Sequence, residues 1–512
     1  MASQPITRLR RRAAQLVVRD LPPGGVGRNA AWLFSGQAIG LLVTLIATPI
    51  QLDRMGSERY GIVVITAATL NSLMLLDGGA GLAVTRAVPW HRARGDIEHA
   101  RSLAGSGLLL TVAVGSVLGT VVWLLADQIV DIFQISESAR PDAVSAFRVA
   151  AFILPLSLGL GVLIALGRTA GLFRAIAVVS AFVMSALNIA WAAVAGESHD
   201  VVLVAKAQFV ITLVAVAGLL IVLAIRAHDY LLPLRPSLRG TRELLSFGGR
   251  SVAGLASLSV LNQADKVALA AVLPVSALPA YSIPFSIALR ITIVSSSLAG
   301  VLLPRLAALS STGDAAEVRR VGLAALRVIS LASAAIAVTC AFGGGAFLAL
   351  WVGGDFADDA WGPLIALAIG FAALATGSIG GAMLDASGRP GVNASIAAVG
   401  AGLGLALGVG LAAAFGTALA GAVGIATGLV IIGTGALELG RRLVLRLSWK
   451  ALAPLVLTPW LALGAAGALA YGLSQAAGTS SPVTLALVAF AVAAAATGLA
   501  YRSRPWGGRL TT

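Results

Sequence analysis

Apolar positions in this chain run on in long blocks rather than alternating. Uncharged stretches of 18 or more residues recur along its length, and each is long enough to cross the ~30 Å hydrocarbon core of a bilayer as a helix. The pattern predicts spans at 30–50, 60–83, 103–125, 144–166, 175–195, 201–225, 251–273, 281–304, 321–347, 362–385, 393–413, 415–437, 451–472 and 483–501, which makes 14. The Gly/Ala-rich stretch 393–437 is divided at Phe415–Gly416, because one span cannot be that long. Such runs must be helical in lipid, where an open backbone would lose its hydrogen bonds. The expected class is an all-α polytopic membrane protein.

Composition agrees. Of 512 residues, 58% are hydrophobic and 11% charged, against about 25% charged in a soluble domain. The longest loop, 226–250, is basic and short, which weighs against an appended enzymatic domain. Lys and Arg then set the orientation. With the N-terminus inside, 28 of the 36 fall in cytoplasmic segments and three (Arg54, Arg59, Arg140) outside. Asp127, Asp131, Glu137, Asp142, Glu197, Asp200, Asp355, Asp358 and Asp359 are assigned outside. The expectation is a cell-membrane protein with both termini cytoplasmic, and no A-x-A-like cleavage site ends the first apolar run. Trp32, Trp90, Trp351, Trp361, Trp449 and Trp506 sit at or near predicted span ends, where an amphipathic ring prefers the headgroup layer.

The net charge of +14 is explained by this loop bias. No basic cluster is interleaved with aromatic residues, so nucleic acid is not an expected partner. Cys340, the single cysteine, lies inside an apolar run and excludes an intramolecular disulfide.

An internal repeat is visible. Tyr60-Gly61-Ile62 follows the first span, and Gly95-Asp96 opens a charged loop with Arg101. Tyr281-Ser282-Ile283 follows the seventh span, and Gly313-Asp314 opens a loop with Arg319 and Arg320. The offsets are 221 and 218 residues. Six spans separate the copies, so they point the same way, as in parallel-repeat transporters. The predicted layout is a basic N-terminus 1–29, a first lobe 30–225, a linker 226–250, a second lobe 251–437, two further spans over 451–501 and a tail 502–512.

Several chemistries are missing. None of the three lysines follows the Gly-rich spacing of a phosphate loop. His91, His99, His199 and His228 are scattered over loops without ligand spacing, so no metal or other cofactor is expected. Gly402, Gly404 and Gly408 imitate part of a dinucleotide fingerprint but lie within a span. Close helix packing is the better reading, as for Gly36/Gly40 and Gly115/Gly119. No catalytic triad is present, and the protein is not expected to be an enzyme.

Charges inside spans are the informative set, because each costs about 2.5–3.5 kcal/mol at mid-membrane and usually faces a cavity or a partner. Arg290 lies near mid-membrane, and an aqueous cavity is favoured there over a structural pair. Lys266 lies about 10 Å from the outer end, with a cavity role and a structural role evenly matched. Asp265 points roughly 100° away around the helix, so the two are not expected simply to neutralise each other. Lys206, Arg148 and Arg327 lie within about two turns of a span end, where snorkelling competes with a cavity role. Asp77 and Asp385 sit near cytoplasmic ends, and structural pairs are favoured for both. Five embedded cations against three acids leave a positive interior, which attracts anions and repels cationic drugs.

The run Leu52-Asp53-Arg54-Met55-Gly56-Ser57-Glu58-Arg59-Tyr60-Gly61, followed by Leu76-Asp77-Gly78-Gly79-Ala80-Gly81-Leu82-Ala83-Val84-Thr85-Arg86 and Gly95-Asp96, resembles the N-terminal pattern of Wzx-like lipid-linked oligosaccharide flippases. These form the polysaccharide-transporter branch of the MOP superfamily, which also holds the MATE exporters. Asn262-Gln263-Ala264-Asp265-Lys266, Tyr281-Ser282-Ile283 and Leu303-Pro304-Arg305-Leu306 resemble that family's seventh and eighth spans, and Ala386-Ser387-Gly388-Arg389 is similar to its pattern after span ten. The resemblance covers about 30–450, much of it loosely.

It implies two pseudosymmetric six-helix lobes around a central cavity plus two C-terminal helices. It further implies alternating access that turns a polyprenyl-diphosphate-linked sugar to the outer leaflet, driven by an H+ or Na+ gradient or by the membrane potential. Lys266 and Arg290 would contact the diphosphate or acidic sugars, with Lys206, Arg148 and Arg327 as further cavity cations. Asp265 would couple to an ion, with Asp77 and Asp385 as other candidates. The expected partners are a lipid-linked glycan and membrane lipids, and the expected state is a monomer. A lipid II flippase or MATE-like antiporter is the alternative. A membrane glycosyltransferase or polymerase would need catalytic groups on sizeable outer loops, and Asp355, Asp358 and Asp359 lie on a short one.

Overall fold

The computed structural model of the protein describes residues 25–74, 80–228, 235–245, 263–293, 295–296 and 315–502. The chain divides into two compact units, Met1–Asp131 with Ser136–Ala253, and Ile132–Ile135 with Gly254–Thr512. The described residues are helical almost throughout, as the unbroken apolar runs require.

In the first unit, α1 spans Gly25–Met74, α2 Ala80–Ala93, α3 Ile97–Leu124, α4 Ala126–Asp131, α5 Arg140–Ala151, α6 Ile153–Thr169, α7 Phe173–Val194 and α8 Asp200–Arg226. A short helix, α9, covers 238–245. The two spans predicted over 30–50 and 60–83 meet in α1 at Gly56, whose φ of 74° and ψ of 166° break the helix; a side chain there would be strained. The predicted span 144–166 is made of α5 and α6, which part at Phe152. The cause is Pro155, which has no N–H for the carbonyl of Ala151 and crowds it. Gly119 of α3 packs on that carbonyl, and a Cβ on Gly119 would lie 2.4 Å from it. Gly115 approaches Pro155 in the same way, so this glycine pair packs helices as its spacing predicts.

Loops predicted on one side of the membrane find one another. Glu58 accepts from the backbone of Ser136 at 2.7 Å, Arg59 lies 3.5 Å from the buried Asp200, and Asp142 meets His199 at 2.6 Å. At the opposite ends of these helices His91 and His99 meet Glu243, and Ser102 meets Ser237 at 2.6 Å. The alternation of the loops is therefore realised in three dimensions.

In the second unit, α10 spans Ala264–Ala270, α11 Pro279–Leu289, α12 Ala315–Trp351, α13 Gly354–Ala386, α14 Pro390–Phe415, α15 Ala418–Gly440, α16 Trp449–Ala476 and α17 Ser481–Arg502. The predicted break inside the Gly/Ala-rich stretch falls at the expected residues. Gly416 closes α14 at a φ of 67°, and Thr417 caps α15 by accepting from the N–H of Ala420. Small residues let these helices touch backbone to backbone. A Cβ on Gly433 of α15 would meet the carbonyl oxygen of Ala373 at 2.2 Å, and one on Gly424 the N–H nitrogen of Gly408 at 2.2 Å. Gly404 packs against Gly428, whereas Gly402 faces open space, so the packing reading holds for Gly404 and Gly408 only.

Ten helical segments among the described residues are long and apolar enough to cross a membrane. The predicted spans 60–83, 251–273 and 281–304 fall partly outside the described residues, and the count of 14 is not reached within them. The protein is a multi-pass α-helical membrane protein.

Candidate functional site

Among the described residues, the most enclosed charges of the second unit lie at the start of α10. Asp265 is fully buried and Lys266 nearly so, with 9% of its side chain exposed. The Lys266 ammonium lies 3.2 and 3.4 Å from the two carboxylate oxygens of Asp265. This corrects the expectation that the two cannot neutralise each other. Their Cα–Cβ bonds do diverge, but a four-carbon stem in the first turn of a short helix bends back to its neighbour.

Two side chains from α11 complete the arrangement. The Tyr281 hydroxyl donates to Oδ2 of Asp265 at 2.5 Å. The Lys266 ammonium also lies 3.7 Å from the ring centre of Phe285, a cation–π contact worth about 2 kcal/mol when desolvated. Phe285 is braced edge-on by Phe371 of α13 at 5.1 Å. Tyr281 and Phe285 are one helical turn apart and so share a face. Neither was a candidate from sequence. The signal was present in the i, i+4 aromatic pair and in a tyrosine set among apolar residues, where its hydroxyl needs a partner. Ser282, next to Tyr281, is buried with its hydroxyl unpaired among the described residues.

Arg290 follows α11 directly, nine residues beyond Tyr281. It is half-buried, and among the described residues its guanidinium makes no hydrogen bond or ion pair. Chemically, the described residues here combine a neutralised buried pair on an aromatic floor with a half-buried guanidinium that follows α11.

The other candidates lie on other helices. Arg148 pairs with Asp127 at 2.8 Å on the surface of the first unit. Arg148→Ala is expected to cost less than about 1 kcal/mol, as for exposed pairs, measurable as a small change in thermal unfolding in detergent. Lys206 is exposed on α8 and Arg327 on α12. Asp385 accepts from Asn393 at 3.1 Å across the α13–α14 turn. Asp77 lies outside the described residues.

Comparison with known proteins now bears on this geometry. A family profile described as "Polysaccharide biosynthesis protein" matches residues 26–310, more than half of the chain. No curated protein sequence matches. The structure is similar to an inward-facing multidrug resistance MATE family transporter of the MOP superfamily, with a TM-score of 0.70 at 15% identity over 80% of this chain and 98% of that one. It is also similar to the lipid II flippase MurJ in an inward closed conformation, with a TM-score of 0.66 at 12% identity over 93% of this chain and 99% of that one. At such identities the likeness speaks to the fold, and the family rests on the profile. The chain thus carries the fold of these two transporters and belongs to the polysaccharide biosynthesis protein family.

Proposed function

We propose that the protein is a flippase that carries a polyprenyl-diphosphate-linked oligosaccharide from the cytoplasmic to the outer leaflet of the cell membrane by alternating access. The observation that carries the reading is Arg290, a half-buried guanidinium without a partner among the described residues. A cation held so deep is costly unless an anion or water meets it, and a diphosphate is the anion that a membrane protein of polysaccharide biosynthesis would handle. Lys266 adds a second charge in reserve. A proton or cation on Asp265 would release the ammonium to the diphosphate, which couples ion binding to substrate binding. Both termini are cytoplasmic on this reading, which the excess of Lys and Arg on one set of loops supports.

The test is the leaflet distribution of polyprenyl-diphosphate-linked glycan in cells depleted of the protein and complemented with wild type or Arg290→Ala. Glycan trapped on the cytoplasmic side, with at least a tenfold loss of rescue by the variant, is the expected result. A normal leaflet distribution with a shortened polymer would overturn the reading in favour of a polymerase. Selective trapping of lipid II would reassign the substrate.

A further inference from the structure

Three polar side chains that the flippase reading leaves unused converge at one end of the first unit. His91 stands in the last turn of α2, His99 in the first turn of α3, and Glu243 on α9. Nε2 of His91 lies 3.2 Å from Oε1 of Glu243, and Nε2 of His99 lies 2.8 Å from Oε2. One ligand atom from each residue falls within 4.8 Å of the others. The eight-residue separation of the histidines gave no hint of this. A tight turn closes it: Gly95 takes a φ of 82°, the His91 carbonyl accepts from the N–H groups of Arg94 and Asp96, and Asp96 caps α3. The Gly95-Asp96 step of the sequence repeat is thus the device that folds one histidine over the other. Their rings meet edge-on at 4.4 Å.

We propose that His91, His99 and Glu243 form a binding site for a divalent transition-metal ion, with Zn2+ as its best fit. Two imidazoles and a carboxylate are a known zinc ligand set, and tetrahedral bonds of about 2.0–2.1 Å hold ligand atoms roughly 3.3 Å apart, so the three atoms, all within 4.8 Å of one another, need only a small inward adjustment to share an ion. The second observation is at His91. Its Nε2 faces Glu243, while its Nδ1 lies 3.5 Å from Oδ2 of Asp96. A neutral imidazole has one donor and one acceptor nitrogen, whereas a carboxylate only accepts. A neutral ring would therefore set a lone pair against one carboxylate, a conflict that either an imidazolium with its two donors or a bound cation relieves. A metal at Nε2 removes that conflict and leaves Nδ1–H for Asp96, the carboxylate–histidine–metal relay that orients metal-bound imidazoles.

The surroundings agree. Arg94, two residues from Asp96, is turned onto the Trp90 ring at 3.4 Å, which draws one cation away from the ligands. Both histidines are only slightly exposed, while Glu243 is 39% exposed, so the fourth position opens to solvent. A bound ion would fasten α9 to the α2–α3 turn, adding to the hydrogen bonds of Ser237 with Ser102 and Ser106. That assigns a structural clamp to the segment leading out of the first unit.

The test uses full-length protein purified in detergent without a polyhistidine tag, stripped with chelator and titrated with Zn2+ against a competing chelator. One Zn2+ per chain is expected for wild type and for His199→Gln, a control at the opposite loops. Asp96→Asn, which keeps all three ligands, is expected to weaken binding about 10–100-fold, and His99→Gln to weaken it further. Wild type that takes up no zinc, or His99→Gln that binds as tightly as wild type, would overturn the proposal. Should His99→Gln not fold, the visible spectrum of Co2+-loaded wild type decides. Bands of a tetrahedral histidine-ligated ion support the site, and the spectrum of the hydrated ion refutes it.

Discussion

Asp265→Ala is expected to lower the stability of the detergent-solubilised protein by about 3–5 kcal/mol, because it strands a buried ammonium that has lost its counter-ion. Lys266→Met is expected to cost a similar amount by stranding the carboxylate, although the Tyr281 hydrogen bond offsets part of that loss. The double variant Asp265→Asn/Lys266→Met removes both charges and should recover most of the stability, since exchanging a buried pair for neutral groups is often nearly free. A double-mutant cycle on thermal unfolding, with its coupling energy, is the measurement. Transport separates two roles that stability alone cannot. If the charges act on substrate or ion, the stable double variant still fails to restore glycan export. Full export by that variant would reduce the pair to a packing element.

Gly433→Leu carries the second large effect. A Cβ at this position lies 2.2 Å from the Ala373 carbonyl oxygen and 2.4 Å from its carbon, both backbone atoms that cannot swing aside. Overpacking a core typically costs about 1–3 kcal/mol, and here the contact is helix against helix over a stretch that includes Gly377 and Gly380. The expected outcome is loss of the monodisperse peak in fluorescence-detected size-exclusion chromatography. Gly402→Leu, which meets no atom within 4 Å, is expected to behave as wild type. Equal behaviour of the two variants would show that α13 and α15 are free to separate.

Much of the architecture was legible because lipid admits few alternatives. A long apolar run has to be a helix, and a Gly/Ala run too long for one span has to break where a glycine permits it, as Gly416 does. Single residues were harder. Lys266 and Asp265 were recognisable as buried charges, but the bend of one stem toward its neighbour was not, because helical projection fixes Cβ directions and leaves long side chains free. For Arg148 snorkelling and a cavity role stood in competition, and neither names Asp127, which the turn between α4 and α5 brings to it. Tyr281 and Phe285 hid among apolar residues, since an aromatic ring reads as core until its partner is known.

The sequence by itself determined that the chain spans a membrane repeatedly as helices, where the Gly/Ala-rich run breaks, and that a few costly charges lie among them. These follow from local quantities, namely run length, charge depth and glycine position. The tertiary structure alone decided which of those charges are paired, which aromatics cradle Lys266, and that His91, His99 and Glu243 share one corner. Those contacts join residues as far apart as 152 positions. No periodicity along the chain encodes such distances, because they are set by how helices pack and by turns such as Gly95-Asp96 that reverse the chain.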